Sequence, residues 1–326
     1  MKKFFFQILA CFIFGIIFII VNSSSVFAYT IEDLQLLEKG DFILAPGKIE
    51  LSVEPGDEFT KEFSITNRIG KTMNFNINVE DFKGSINPEE TVVLLGREKG
   101  PYSLKDYLQP EITSFILKHG QRITFPVKIS VPKDAEPGGL YGSVLITTNP
   151  PEPQGEVEKD KAKGQMRMVS RLGCLLFIKV KGDIKEDGFL KNFTTNKKFY
   201  ENASLKNPIF FQSFFENKGN VHLNPYGIIE VKNLLGKKVD EIEVDPFFAM
   251  PDSLRKREVK FEKTLLLGRY TALISLNRGY QDIIDQKLLT FWVIPWKLIL
   301  AGLAVLFFVF WFLKWVFSHF EFRKKV

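Results

Sequence analysis

Between Asn74 and Glu80 every second residue is apolar: Phe75, Ile77 and Val79 alternate with Asn74, Asn76, Asn78 and Glu80. A two-residue period sorts an extended chain into a buried face and a wet face, and a helix of 3.6-residue period cannot do this. Phe125, Val127, Ile129 and Val131 repeat the pattern against Thr124, Lys128 and Ser130, as do Tyr270, Ala272, Ile274 and Leu276 further on. Turn clusters separate such runs: Pro55-Gly56-Asp57, Arg68 to Lys71, Pro137-Gly138-Gly139, Asn217 to Asn220 and Gly236-Lys237-Lys238. Short strands punctuated about every ten residues predict sandwiches of the immunoglobulin type. Helix signals are few, and 101–112 has room for one or two helical turns.

The strand pattern occurs twice. "EFSITNRIGKTMNFNI" gives a strand, an Asn, a Gly-Lys turn and a strand; "QSFFENKGNVHLNPYGIIEV" does the same, matching Asn217 to Asn67. Later "GGLYGSVLITT" parallels "LGRYTALISL", aligning Gly139 with Gly268 and Tyr141 with Tyr270. Asn67 and Gly139 are 72 positions apart, and Asn217 and Gly268 are 51 apart, so the first copy holds extra residues. The expected organisation is a first sandwich over 45–182 with an insertion at 83–112, and a second over 187–293. The last expected strands are 257–266, 269–277 and 286–293. The polar, proline-bearing stretch 149–165 reads as a long exposed hairpin loop inside the first sandwich.

Both ends of the chain are apolar. Residues 1–28 carry Lys2 and Lys3, an apolar run from Phe4 to Val21 and Val26-Phe27-Ala28, the pattern of a signal peptide. The run is long enough that an uncleaved anchor helix stays open. From 294 to 317 a second run has no charge between Leu298 and Leu313, about the length that spans a bilayer core as a helix. Trp296, Trp311 and Trp315 sit near its ends, where indole rings favour the headgroup layer, and Lys314 can snorkel to the adjacent surface. In the tail 318–326, Arg323, Lys324 and Lys325 predict a cytoplasmic C-terminus, with the intervening residues outside. The expected fold class is therefore all-β: two tandem immunoglobulin-like β-sandwiches followed by one transmembrane α-helix, in a single-pass cell-membrane protein.

Few residues suggest chemistry. His119, His222 and His319 are the only histidines and lie far apart; no HExxH, paired CxxC, P-loop, GxSxG or GxGxxG stretch occurs. No catalytic residue, cofactor or metal site is predicted, and His222 reads as a turn or strand-edge residue. Cys174, in "RLGCLLFIKVKG", reads as a buried strand residue, and a chain with one cysteine outside its leader builds stability by packing, not disulfides. The net charge of +6 includes the terminal basic residues, and no Lys/Arg block interleaved with aromatics suggests nucleic acid.

Several segments resemble a known family. "LSVEPGDEFTKEFSITN", "ISVPKDAEPGGLYGSVLI", "KNPIFFQSFFENKGNVHLNPYGIIEV" and "AMPDSLRKREVKFEKTLLLGRYTALISL", followed by an anchor helix, are similar to the WxL-interacting surface proteins of Gram-positive bacteria. The resemblance runs from about residue 47 to the tail. Pro132 and Gly138-Gly139 match that family's turn before a Gly-rich strand, and Pro251 and Ser253 match a Pro-x-Ser turn; Asp252 stands where Asn is expected. The resemblance implies a first domain that binds peptidoglycan and a second that binds WxL-type surface proteins.

Tyr102, Leu104, Tyr107 and Leu108, in the insertion, are the candidate partner-binding residues. Aromatics stack on glycan rings or anchor protein partners, and long loops in compact domains are often functional. The same residues would equally cap an open core end. The expected function is a membrane-anchored envelope adaptor contacting cell-wall glycan or a secreted surface protein. An accessory subunit of a transport or secretion complex, or an envelope-polymer hydrolase, are the other readings.

Overall fold

A computed structural model describes residues 29–149, 169–201, 208–264 and 266–319. The expected signal segment 1–28, most of the 149–165 stretch, and Arg323, Lys324 and Lys325 lie outside the described residues.

Among the described residues the fold is all-β apart from one 3-10 turn and one helix. The first eleven strands are β1 (Thr30–Asp33), β2 (Asp41–Ala45), β3 (Lys48–Val53), β4 (Glu58–Arg68), β5 (Met73–Lys83), β6 (Val93–Leu94), β7 (Leu108–Pro110), β8 (Ser114–Leu117), β9 (Gln121–Ser130), β10 (Gly138–Asn149) and β11 (Arg171–Val180). They form two sheets. One runs β1-β9-β4-β2 with β7 also on β9, and the other runs β3-β11-β10-β5-β6 with β8 also on β5. The next eight are β12 (Gly188–Thr195), β13 (Phe199–Tyr200), β14 (Ile209–Asn217), β15 (Tyr226–Asn233), β16 (Lys238–Val244), β17 (Ser253–Phe261), β18 (Gly268–Asn277) and β19 (Ile284–Val293). Their sheets are β12-β14-β17 and β13-β19-β18-β15-β16, with β13 parallel to β19.

The two strand orders are the same order. Each half contains an A-B-E run of three strands (β2-β4-β9; β12-β14-β17) and an A′-G-F-C run of four (β3-β11-β10-β5; β13-β19-β18-β15), to which β1, β6, β7 and β8 are added in the first half and β16 in the second. These are immunoglobulin-like sandwiches. Asn67 and Asn217, matched in the sequence, end the B strands and make equivalent bonds. Asn67 Nδ2 donates to the carbonyls of Lys71 and Leu117, and its Oδ1 accepts from Ile69 N–H. Asn217 Nδ2 donates to Val221 and Ala249, and its Oδ1 accepts from Gly219 N–H. Both side chains are fully buried.

Contacts divide the chain into two compact units. One takes in residues up to Glu80, Leu104–Ala135 and Gly142–Leu176; the other takes in Asp81–Ser103, Glu136–Tyr141 and the residues from Phe177 on. In the first, Phe63, Phe75, Phe125 and Ile65 are fully buried, on the inward positions of their strands. Pro126 lies within β9, where a missing N–H would normally break a ladder. It falls in the gap along β9 between β1, which pairs with 121–124, and β7, which pairs with 127–129. Cys174 is buried, and burial pushes its thiol up to about 12. It is therefore expected to resist maleimide in the folded protein at pH 8 and to react once the chain is denatured, as read by mass mapping of the Cys174 peptide.

In the second unit β14 alternates perfectly, with Ile209, Phe211, Ser213, Phe215 and Asn217 buried. β17 runs Ser253–Phe261, starting four and ending five residues upstream of the expected 257–266. Its upstream inward positions carry Ser253, Arg255 and Arg257, so no apolar alternation marks its start. After β19 only Ile294 and Pro295 precede α1 (Trp296–His319), a helix of 24 residues with none buried, free of charge from Leu298 to Leu313. At 1.5 Å per residue it is about 36 Å long, enough to cross a membrane.

Candidate functional site

Within the second unit the segment 81–103 leaves the end of β5 and lies against the turn before β17. Asp81, fully buried, holds the segment's far limb, accepting from Gly100 N–H at 3.0 Å on Oδ2 and from Leu95 N–H at 2.9 Å on its carbonyl. Residues 85–90 form a capped turn: Ser85 Oγ accepts from Asn87 N–H and donates to Glu90, and Asn87 Oδ1 accepts from Glu89 N–H. Three contacts fasten this turn to β17. Leu254 N–H donates to Ser85 O at 3.1 Å, Arg255 Nη1 donates to Thr91 Oγ1 at 2.6 Å, and Lys256 pairs with Glu89.

The facing wall is Met250-Pro251-Asp252. Ser253 Oγ donates to Met250 O at 2.7 Å, closing the turn, and Asp252 has φ 52°. Asn and Asp adopt this left-handed region more readily than other non-glycine residues, so the Asp where the resemblance leads one to expect Asn meets the same backbone demand. Gly84 lets the walls approach: a Cβ there would lie 2.5 Å from Ser253 Cβ and 2.7 Å from Met250 Cβ.

Between the walls is a cleft of about 350 Å³. Tyr102 and Asp252 supply its polar pair, Tyr102 Oη donating to Asp252 Oδ2 at 3.4 Å. Burial, and then the Asp252 charge, raise the Tyr102 phenol above its ordinary value, so it remains a donor at neutral pH. Lys83 adds a cation and Ser85 and Asn87 add neutral polar groups, while Ile86, Val93 and Met250 give apolar surface. Ile86 is 81% exposed at the rim.

Of the four residues singled out in the insertion, Tyr102 lines this cleft. Leu104 and Leu108 are 0% and 4% exposed, so their side chains belong to a core and are not available to a partner. Tyr107 is half-buried in a 3-10 turn, Lys105–Tyr107. The opposite wall, Met250 to Asp252, was not foreseen as part of a site, although its Pro-x-Ser turn is visible in the sequence. His222 is buried; its N–H donates to Tyr141 Oη at 2.7 Å and its ring lies 5.1 Å from that of Phe177. Among the described residues no group of three His, Cys, Asp or Glu side chains is placed to hold a metal ion.

Strand order and the helix thus define a class: an all-β chain of two immunoglobulin-like sandwiches ending in an apolar helix of membrane-spanning length. No family model and no curated protein matches the sequence. Solved structures similar to it include a chain of a chaperone–tip adhesin complex of CFA/I fimbriae biogenesis, at 13% identity over 77% of this chain and 98% of that one, with TM-score 0.35. Two others are the class 5 fimbriae chaperone CfaA (12%, 77% and 99%, TM-score 0.36) and the E. coli chaperone DraB (11%, 78% and 97%, TM-score 0.32). These likenesses are distant, and the fold assignment above rests on strand order alone.

Proposed function

We propose that the chain is a membrane-anchored adaptor of the bacterial cell envelope that contacts cell-wall glycan, a surface protein, or both. The observation that carries this reading is the cleft at 83–102 and 250–252, formed on a sandwich that continues directly into a helix of membrane-spanning length. An aromatic ring, a carboxylate and an ammonium beside apolar walls suit sugar or peptide, offering stacking area with a few fixed polar contacts. The resemblance to WxL-interacting surface proteins supports the same partners. Binding is favoured over glycoside hydrolysis because Asp252 is the one carboxylate in the cleft lining, and that chemistry uses two.

The test is retention of the detergent-solubilised full chain on purified peptidoglycan and capture of surface proteins from an envelope extract. Tyr102→Ala combined with Asp252→Ala is expected to lower the retained fraction about tenfold, the loss of one or two strong contacts. If neither peptidoglycan nor any surface protein is held above control, the adaptor reading fails.

A further inference from the structure

At the opposite end of the second unit three side chains form a row across one face of a sheet. Phe199 on β13 pairs with Trp292 on β19, and Trp292 pairs with Arg269 on β18. Paired residues point to the same face. The row is open: Phe199 is 64% exposed, Trp292 39%, and Arg269 is exposed. Leu267, just before β18, is another exposed apolar side chain, and Lys197 and Lys198, also exposed, precede Phe199. Adjacent apolar surface of this kind normally has a covering partner.

The helix indicates which partner. Two residues separate β19 from α1. Glu201, two positions after Phe199, has its carboxylate 3.5 Å from Lys297 Nζ, at the second position of the helix. Trp292 N–H donates to Lys198 O and Ile294 N–H to Tyr200 O, so β13 is fixed beside the strand that becomes α1. If α1 crosses a bilayer, the row lies within a few residues of the point where the chain enters it.

We propose that Phe199, Trp292 and Leu267, with Lys197, Lys198 and Arg269, form a membrane-surface contact that takes anionic phospholipid headgroups. This rests on the reading of α1 as a spanning helix. Rings occupy the headgroup boundary, and flanking cations meet the negative surface. The contact fixes the direction in which the cleft faces. β18 leaves the row at Gly268, beside Val293, and ends at Asn277, beside Tyr226. Phe247 N–H to Pro225 O and Ala249 N–H to Leu223 O hold the approach to Met250 next to that far end. The ten residues of β18, at about 3.3 Å each, separate cleft from membrane contact by about 30 Å.

The chain has four tryptophans, so the test is direct. Trp296→Phe, Trp311→Phe and Trp315→Phe together leave Trp292 as the only indole, and a companion variant keeps only Trp311. Each full chain is reconstituted into vesicles of equal parts phosphatidylcholine and phosphatidylglycerol, with and without phosphatidylcholine brominated near the headgroup or deeper in the chain. Trp292 emission should fall about twofold with the shallow bromolipid and be protected from aqueous iodide, as for an interfacial indole. Adding Lys198→Glu and Arg269→Glu should restore at least half of that emission. Quenching of Trp311 without quenching of Trp292 overturns the surface contact and leaves the spanning helix standing. Protection of Trp292 from iodide without bromolipid quenching assigns the row to a protein and also overturns it. No quenching of either indole removes the membrane reading itself. Quenching indifferent to charge reversal overturns the anionic headgroup assignment.

Discussion

Asn217→Ala is expected to destabilise the second sandwich by about 3–5 kcal/mol, and Asn67→Ala to do the same to the first. Each asparagine is buried and makes three hydrogen bonds, at 2.8–2.9 Å for Asn217 and 2.9 Å for Asn67. Two of these bonds close the turn after the B strand, to the residues two and four positions on. The third crosses to a segment 32 or 50 residues away, Ala249 or Leu117. Truncation leaves buried backbone groups short of partners, at about 1–3 kcal/mol each. Ala249 O keeps its bond from Leu223 N–H, so the sum stays below three full penalties. Asn217→Asp separates hydrogen bonding from side-chain volume. Its carboxylate would face the Val221 and Ala249 carbonyls, which raises its pKa above the unfolded value. A carboxyl raised in this way is tolerated while protonated, so this variant should regain stability as pH falls and lose it as pH rises through the folded pKa. Denaturant titration gives the magnitudes, and amide exchange over 217–221 or 67–71 locates each effect in its own sandwich. A loss under about 1 kcal/mol for either alanine variant would mean water replaces the side chain, against its complete burial.

The asparagines also show what the sequence could disclose. Asn67 and Asn217 are matched in the sequence at the start of two turn clusters, and turns follow both, though neither asparagine is itself left-handed. The structure adds that the side chains fold back into the sandwich and tie the turn to a distant segment, a contact no local pattern encodes. The long strands were legible because their inward positions are apolar: the alternating runs at 74–80, 124–131 and 270–276 fall inside β5, β9 and β18 to within a residue. β1 and β2 were not foreseen. Thr30–Asp33 is exposed throughout, and Asp41–Ala45 has one buried residue, so neither has a periodic signal. β17 was displaced because Arg255 and Arg257 occupy inward positions, where their stems do the packing that apolar residues do elsewhere. Arg255 lies with its guanidinium carbon 5.6 Å from the centre of the Phe248 ring. The site was half legible. An unexplained insertion drew attention to Tyr102, but an apolar residue in such a segment reads alike whether it faces out or inward, and Leu104 and Leu108 face inward. Asp252, 150 positions from Tyr102 in the chain, is brought to it only by folding.

Phe291→Ala should have a comparably large effect by a different route. Phe291 is fully buried, and its ring stacks on Tyr270 at 5.6 Å, with Phe211, Phe261 and Tyr200 at 5.7, 6.4 and 6.2 Å. Those four rings come from β18, β14, β17 and β13, so one side chain bridges both sheets of the second sandwich. Removing a buried phenyl ring costs about 3–5 kcal/mol in transfer and cavity terms together. Phe291→Leu keeps much of the volume but loses the edge contacts, and should cost about 1–2 kcal/mol. For a domain of this size the alanine variant should melt about 10 °C lower. Phe291 also precedes Trp292, and their side chains point to opposite faces of β19, one into the core and one to the open row. The two alterations therefore separate. Phe291→Ala lowers the stability of the sandwich without changing any side chain of the row, the cleft or α1. Trp292→Ala leaves the core intact and should shift the melting temperature by no more than about 2 °C, the effect of a surface substitution. Calorimetry on the full chain in detergent measures both, and similar shifts for the two variants would show that the opposite burial of Phe291 and Trp292 does not hold in solution.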